Sequence, residues 1–223
     1  MKKKASELAL EYIQNKIFTR EWSPGNKISS EKILEEEIGV SRTSIRSAVE
    51  KLVALNMLEK KPGNGTYVNK ISSDSLLNTF LPLIAFSETS YLEILQCRMQ
   101  LDILSIDFFV DNMTSKDIET LRKLHLQMNN SIDNRENFIN LDIEFHKTIA
   151  KGSGNNTLYL ISNIIFSILK EFSKDQYSRI PLKEKCLHHE KLFKAIESKN
   201  KNLAIAYEKS SFLETISFLK RLN

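Results

Sequence analysis

Apolar residues recur at helical spacing in three short segments near the start of the chain, at residues 5–18, 30–38 and 41–56. A recurrence every three to four residues predicts amphipathic helices. Gly39 is placed to end the second helix, because a helix C-terminus favours a positive φ. The residues that follow, MLEKK-PGNG-TYVNK, have the strand-turn-strand pattern of a β-hairpin. This order of elements predicts a winged helix-turn-helix domain at residues 1–70.

From residue 71 onward the pattern is helical almost throughout. ISSDS is typical of a short polar linker, and prolines interrupt the pattern at FLPL and RIPL. The apolar spacing predicts helices near 74–86, 89–110, 115–131, 135–151, 155–176, 181–199 and 201–221. We therefore predict a mainly α protein in which residues 71–223 form an all-α bundle, large enough to enclose a ligand pocket.

The positive charge is concentrated in the first third of the chain. Residues 1–70 contain 13 Lys and Arg against 9 Asp and Glu, whereas residues 71–223 contain 19 of each. Such an asymmetry indicates a module that faces nucleic acid, joined to a neutral one. No apolar run is long enough to span a bilayer or to act as a signal peptide, so we expect a cytoplasmic protein without a membrane partner.

The third predicted helix carries candidate DNA-reading side chains. Its apolar positions direct Arg42, Thr43 and Arg46 outward near the helix N-terminus. The first turn of a recognition helix is where side chains reach base edges and where backbone N–H groups meet phosphate. Arginine can bond bidentately to guanine, so we predict that Arg42 and Arg46 read bases, while nearby hydroxyls contact phosphates.

SSEKILEEEIGVSRTSIRSAVEKLVALNMLEKKPGNGTYV closely resembles the DNA-binding domain of the GntR family of bacterial transcriptional regulators. The matching elements are the Ser-Glu-basic start, the turn Gly-Val-Ser-Arg-Thr and the wing Gly-x-Gly-Thr-Tyr-Val. Two departures are Lys32, where the family usually has arginine, and Asn56 in place of a common glycine. Asparagine tolerates left-handed backbone better than most residues. The resemblance implies DNA contacts from Lys32, Ser41, Arg42, Thr43, Ser44, Arg46 and Gly63.

The helical region is similar, more loosely, to the effector domain called FCD in the FadR branch of that family. Many FCD domains resemble one another in a metal site of one Asp and three His. Here the resemblance places the first three ligands at Asp142, His146 and His189, whereas the last His falls at Ser211. Two acidic residues lie one turn either side of Ser211 and are candidate substitutes: Glu208 and Glu214.

The loss of the last His leaves two interpretations of this set open. One carboxylate and two imidazoles are a competent three-ligand set for Zn²⁺, Ni²⁺ or Mn²⁺, with positions left for water or ligand. Alternatively, the same residues line a metal-free pocket and hydrogen-bond an organic ligand directly. A bound divalent metal is expected under the first interpretation and not under the second.

Arg98 lies in an otherwise apolar segment, ILQCRMQLDIL, and a buried arginine needs a partner. One partner is Asp102 at i+4. Another is a ligand carboxylate held by the guanidinium fork, in keeping with the acidic effectors of this branch. Both can hold at once. We predict Arg98 and Asn155, the latter in the segment Ser-Gly-Asn, as effector contacts.

The combined features predict a homodimeric, ligand-responsive transcriptional regulator. It would bind a palindromic operator on double-stranded DNA, and its helical domain would bind a small carboxylate effector. A metal-dependent hydrolase that uses Asp142, His146 and His189 is a competing function, but no nucleophile or further acid stands at a recognisable spacing. A constitutive architectural DNA-binding protein is another. We expect a regulator and not an enzyme.

Overall fold

The computed structural model describes residues 4–70, 90–176 and 181–222. The chain divides into two compact units, Met1–Phe80 and Leu81–Asn223. The domain boundary predicted at residue 70 falls at the edge of the first described range and stays a prediction. The linker predicted at ISSDS and the helix predicted at 74–86 lie outside the described residues.

The first unit is a winged helix-turn-helix, as predicted. It consists of α1 (Ala5–Phe18), α2 (Glu31–Ile38), α3 (Arg42–Ala54), β1 (Leu58–Lys61) and β2 (Gly65–Val68). The strands pair antiparallel, with Leu58 opposite Val68. On its other edge β2 bonds the segment before α2, where Lys27 pairs with Tyr67 and the N–H of Ile28 donates to Thr66 O at 2.9 Å. The wing is therefore held from both sides.

Local chemistry fixes the ends of these helices. The Ser30 and Ser41 hydroxyls accept backbone N–H groups at the start of α2 and α3, as N-caps do. Gly39 ends α2 with φ of +73°, the left-handed conformation that glycine adopts without strain. Asn56 precedes the hairpin with φ of +56°, so its departure from the glycine pattern is accommodated. The turn between α2 and α3 sets the position of the outward face of α3.

The second unit is an all-helical bundle. Its described helices are α4 (Tyr91–Asn112), α5 (Ser115–Asn129), α6 (Arg135–Gly152), α7 (Asn156–Gln176), α8 (Leu182–Glu197) and α9 (Lys201–Leu222). α4 packs against α6, α7 and α9, while α8 packs against α5 and α9. The core between them includes Ile106, Phe109 and Phe145, all fully buried. In the described parts of the chain, no helix combines the length and the apolar character needed to cross a membrane.

Candidate functional site

Four helices of the second unit direct polar side chains into one buried cluster. Each helix contributes two residues spaced three or four positions apart, so both lie on the same face. Apart from the partly buried Lys185, every member is less than a tenth exposed. The members are Arg98 and Asp102 from α4, Asp142 and His146 from α6, Lys185 and His189 from α8, and Glu208 and Ser211 from α9.

Asp142, His146 and His189, the three residues predicted as metal ligands, are brought together. His189 Nε2 lies 3.0 Å from Asp142 Oδ1 and 3.2 Å from His146 Nε2. The third side of the triangle, from His146 Nε2 to Asp142 Oδ1, is 3.9 Å. Donors bound to one ion at 2.0–2.2 Å lie roughly 3 to 3.5 Å apart. The two distances from His189 Nε2 fall in this range, whereas the distance from His146 Nε2 to Asp142 Oδ1 exceeds it.

The outer contacts of the two imidazoles suit the same role. His189 Nδ1 lies 2.7 Å from the carbonyl oxygen of Lys185. Because a carbonyl only accepts, this nitrogen carries the hydrogen and Nε2 is the ligand atom. His146 Nδ1 faces Asp102 Oδ2 at 3.5 Å and Glu208 Oε1 at 3.6 Å. Metal-bound histidines hold their second nitrogen by a hydrogen bond, as His189 does, whereas the two carboxylates near His146 Nδ1 lie beyond hydrogen-bond distance. The residues thus fit a divalent metal, with His189 the better oriented of the two imidazoles.

Arg98 balances two carboxylates of the cluster. Its Nε donates to Asp102 Oδ2 at 3.0 Å, and its Nη2 donates to Asp142 Oδ2 at 3.1 Å. The predicted pairing with Asp102 is therefore present, and a second partner comes from a residue 44 positions away. The guanidinium lies over the rings of Phe166 and Phe212, with its carbon 5.1 and 5.4 Å from their centroids. Arg98 thus orients the Asp142 carboxylate through Oδ2, while Oδ1 faces His189.

The electrostatics of the cluster set the charge state of each group. Burial opposes ionisation of Asp142, but Arg98 and the hydrogen bond from His189 keep its pKa well below the usual value. Burial raises the pKa of Asp102 to about 6, against the effect of Arg98. Burial and the nearby Asp102 raise the pKa of Glu208 to about 8. Burial and Arg98 lower the pKa of His146 well below its usual value, so this imidazole is neutral, as a ligand must be.

Two adjoining cavities open on the cluster. The inner one has a volume of about 20 Å³ and is lined by Arg98, Asp142, His146, His189 and Glu208, among others. It is large enough for one water molecule or ion, but not for an organic molecule. The outer one lies between α8 and α9 and has a volume of about 440 Å³, the size of a small-molecule site. Lys185 and Ser211 line both cavities.

At position 211, where the family pattern has a histidine, the serine forms a hydrogen-bonded pair with Lys185. Ser211 Oγ accepts a hydrogen bond from Lys185 Nζ at 3.2 Å. Of the two candidate substitutes, Glu208 lies in the cluster, and its Oε1 is buried without a hydrogen-bond partner among the described residues. Glu214 instead is exposed and bonds His188 Nε2 at 2.9 Å on the wall of the outer cavity.

Asn155 is not brought into the cluster. Its side-chain Oδ1 accepts the backbone N–H of Leu158 at 3.0 Å, so it caps the start of α7. It lines a separate surface pocket with Asn112 and Ser153. Lys185 is the cluster residue that sequence reasoning missed. The available signal was its position one turn before His189 on a helix, which places both on one face.

The residues predicted to contact DNA lie on the outer face of the first unit. The Arg42 and Arg46 side chains are 60% and 61% exposed. Arg42 Nε lies 2.6 Å from Glu35 Oε2, and Arg46 forms two hydrogen bonds with Glu31, at 2.9 and 3.3 Å.

The remaining predicted DNA contacts surround these arginines. Ser41 Oγ accepts the Ser44 N–H at 3.3 Å, so part of its bonding capacity caps α3. Lys32 and Thr43 are exposed, as is Gly63, which has φ of +70° at the wing turn. A positive φ at this exposed turn suits glycine, and the free space around Gly63 leaves the backbone open to a partner.

Comparisons with known proteins match the two units of the chain to two separate families of domains. Residues 5–68 match the family described as bacterial regulatory proteins, gntR family, and residues 93–207 match the FCD domain. The chain is 26% identical over 155 residues to the HTH-type transcriptional regulator LutR of Bacillus subtilis, covering 70% of this chain and 71% of LutR. It is 28% identical over 179 residues to the fatty acid metabolism regulator protein of Pasteurella multocida, covering 78% and 69%.

Solved structures show the same fold. A Streptococcus agalactiae GntR structure matches with a TM-score of 0.68 and 23% identity, over 96% of this chain and 99% of that one. The Escherichia coli McbR/YncC structure matches with a TM-score of 0.52 and 20% identity, over 99% of each chain. At these identities the likeness supports the architecture of both units.

Proposed function

The chain belongs to the GntR family of bacterial regulatory proteins and carries an FCD domain, and on that premise we propose a cytoplasmic homodimer that binds a palindromic operator. Members and relatives of this kind are transcriptional regulators rather than enzymes, so the hydrolase alternative falls away. In the proposal, a small organic acid bound in the helical domain changes the affinity of the first unit for DNA. The observation that carries this is a buried charged cluster open to a cavity of about 440 Å³.

On the DNA side, Arg42 and Arg46 are the base-reading residues. Both project from the N-terminal part of α3, where a recognition helix enters the major groove. Their carboxylate partners, Glu35 and Glu31, hold the guanidinium groups on the outer face until DNA replaces them. Lys32, Ser41, Thr43, Ser44 and the wing tip at Gly63 surround them and contribute phosphate contacts.

On the effector side, Asp142, His146 and His189 are the residues that would hold a divalent metal. When bound, the ion would supply open coordination positions for an oxygen of the effector. Arg98 lines the same inner cavity and orients Asp142. Its role as a direct effector contact stays a prediction, as does that of Asn155. The relative from Pasteurella multocida is named as a regulator of fatty acid metabolism, which supports an acidic effector here.

The regulatory step is a shift between conformations of the dimer. A ligand that binds one arrangement better than the other moves the equilibrium toward it. The affinity for DNA changes by the corresponding factor, and the coupling is reciprocal. A constitutive architectural protein would show no such response. A ligand-dependent change in operator affinity therefore distinguishes the proposed regulator from an architectural protein.

The test uses DNA sites selected from a random-sequence pool by the wild-type protein. Gel-shift titrations then compare wild type with Arg46→Ala and with Lys51→Ala, a matched loss of charge on an exposed residue at the other end of α3. Loss of a base-reading arginine costs about 1–3 kcal/mol, and the proposed dimer loses one in each half-site, so Arg46→Ala should weaken operator binding by at least about 30-fold. Lys51→Ala should stay close to wild type. Equal affinity of wild type and Arg46→Ala for the selected site would remove Arg46 from the interface.

A second arm tests the regulator itself. Operator affinity is measured with and without short carboxylic acids, and the dimer is checked by analytical ultracentrifugation. A change in affinity with at least one acid, in a protein that sediments as a dimer, supports the proposal. Failure of the wild-type protein to select any DNA sequence would overturn it.

A further inference from the structure

The Lys185 ammonium is a partly buried cation at the junction of the two cavities. Within the described parts of the chain, its hydrogen-bond partner is the neutral Ser211 Oγ at 3.2 Å. No carboxylate of those residues lies within ion-pair distance of it. An ammonium has three donors, and cations withdrawn from water are normally paired. The ring of Phe212 lies 5.9 Å from Nζ, but the described residues supply no hydrogen-bond acceptor for the other two donors of the ammonium.

Arg98 stands in contrast, because its charge already faces two protein carboxylates. Its Nε and Nη2 donate hydrogen bonds to Asp102 and Asp142, and its side chain lines the inner cavity only. A ligand carboxylate that reached Arg98 would have to compete with both. Lys185 is the cation at the junction, since it lines both cavities and forms no ion pair with a carboxylate of the described residues; Arg221 lines the outer cavity as well, but not the inner one. The sequence pattern predicts effector recognition by Arg98 instead.

We propose that Lys185 binds the carboxylate of the effector, with Ser211 holding the ammonium at the junction and the rest of the ligand lying in the outer cavity. This rests on the proposed function, because it specifies how the same domain recognises its acid. Ser211 has a direct part, since its small hydroxyl leaves the junction open and keeps Nζ in place. A side chain with the volume of imidazole at that position would take up part of the junction.

The walls of the outer cavity narrow the class of ligand. Glu184 and Glu214 line it beside Lys185, while Leu213 and Phe218 supply apolar surface. Arg221 lines the same cavity, so its wall carries two cations and two carboxylates, and an anion with two or more charges would face Glu184 and Glu214 as well as the cations. Lysine also presents a compact point charge rather than the bidentate fork with which arginine holds phosphate. The chemistry therefore suits a small acid with one carboxylate and an apolar body.

The experiment uses the full chain and a defined set of probes, straight-chain monocarboxylic acids of two to eight carbons with their primary amides. Each is titrated by calorimetry into protein stripped with a chelator and into protein loaded with Zn²⁺. We expect at least one acid to bind the stripped protein, and its amide to bind much more weakly. A hydrogen bond to a charged group predicts a roughly 10- to 100-fold loss of acid affinity in Lys185→Met.

Two variants keep the result interpretable. Lys183→Met removes the same charge from an exposed position on α8 and should bind the acid like wild type. Lys185→Gln, a polar neutral replacement, serves if Lys185→Met does not fold, as judged by circular dichroism. The proposal is overturned if no acid of the series binds the stripped wild-type protein. It is also overturned if acid and amide bind alike, or if the Lys185 variants bind the acid as well as Lys183→Met does.

Operator binding separates this inference from the function on which it rests. If an acid changes operator affinity equally in wild type and in Lys185→Met, the proposed regulatory function is supported and the proposed role of Lys185 is excluded. If the acid binds through Lys185 but leaves operator affinity unchanged at every concentration, the anion site stands and the proposed regulation fails.

Discussion

His189 Nε2 and Asp142 Oδ1 lie 3.0 Å apart, while the other nitrogen of the same imidazole donates to the Lys185 carbonyl. In a neutral His189 the Nε2 lone pair would therefore be directed at an ionised carboxylate. Two acceptors at this distance require a proton or a metal ion between them. A divalent metal bound by these two atoms would take the place of such a proton.

Replacement of His189 by alanine should remove one of the three metal ligands. Changing an outer contact of a metal site already costs 10- to 100-fold in affinity, so His189→Ala should weaken binding of Zn²⁺ or Ni²⁺ by at least about 10-fold. Competition with a chromophoric chelator measures the change. His188→Ala is the matched control, because His188 bonds Glu214 on the wall of the outer cavity. Equal metal affinity of wild type and His189→Ala would exclude this imidazole as a ligand.

Introduction of histidine at position 211 should restore the fourth ligand of the family pattern. Ser211 is buried and lines the inner cavity with Asp142, His146 and His189. A fourth nitrogen donor should raise affinity for Zn²⁺ by about 10-fold or more, since structural zinc prefers four ligands. Ser210→His places the same group on the exposed adjacent position and should leave affinity unchanged. No gain in Ser211→His over Ser210→His would count against the position of the metal site.

Removal of the Arg98 charge should destabilise the helical unit. Arg98→Met leaves Asp102 and Asp142 buried without their cation, and breaking one partner of a buried pair costs about 3–5 kcal/mol. Urea unfolding of chelator-treated protein at pH 7.5 measures the loss. Lys201→Met breaks the pairs of Lys201 with Asp107 and Asp111 at the surface and should have a much smaller effect. Similar losses in the two variants would contradict the buried pairing.

The raised pKa of Glu208 predicts a pH-dependent free energy of unfolding. Its pKa is about 8 in the folded chain against 4.5 for an ordinary glutamate, so in this interval the folded state holds a proton that the unfolded state releases. The stability from this group is full below pH 4.5 and is lost as pH rises toward 8. Above pH 6.5 the contributions of Asp102 and His146 are small, because the pKa of Asp102 is about 6 and that of His146 is lowered.

Urea unfolding of metal-free wild type and Glu208→Gln at pH 6.5 and pH 8 isolates this contribution. One pKa unit corresponds to about 1.4 kcal/mol, so wild type should lose about 1–2 kcal/mol relative to Glu208→Gln between the two pH values. The comparison cancels titrating groups remote from Glu208, whereas Asp102 and Lys185, which interact with it, contribute to the difference. Parallel pH dependences of the two proteins would show that Glu208 titrates normally.

The first unit could be predicted from sequence in detail, because its signals are local. The caps at Ser30 and Ser41, the glycine after α2 and the turn before β2 each act within a few residues. The outward direction of Arg42 and Arg46 follows from the apolar spacing on their own helix. Such features need no knowledge of distant contacts.

The cluster in the second unit could be predicted only in part. Asp102 lies one helical turn from Arg98, so that pairing was visible in the sequence, whereas the bond to Asp142 depends on how α4 and α6 pack. Lys185 went unassigned because α8 is rich in lysine and histidine, and only packing decides which of them faces inward. A short motif predicts Asn155 as an effector contact, and that stays a prediction; its place at a helix N-cap, a role typical of asparagine, depends on where the following helix begins.

The ion pairs on the recognition helix bear on how DNA binding responds to salt. Affinity for DNA falls with salt because each phosphate contact releases condensed counterions, with a slope set by the number of contacts. Arg42 and Arg46 already carry carboxylate partners in the free protein. Each phosphate or base contact they form exposes a glutamate, which takes up a cation from solution. If these arginines contact DNA as proposed, the net release of ions is smaller than a count of basic side chains implies, and we expect operator binding to tolerate salt better than the charge of the protein suggests.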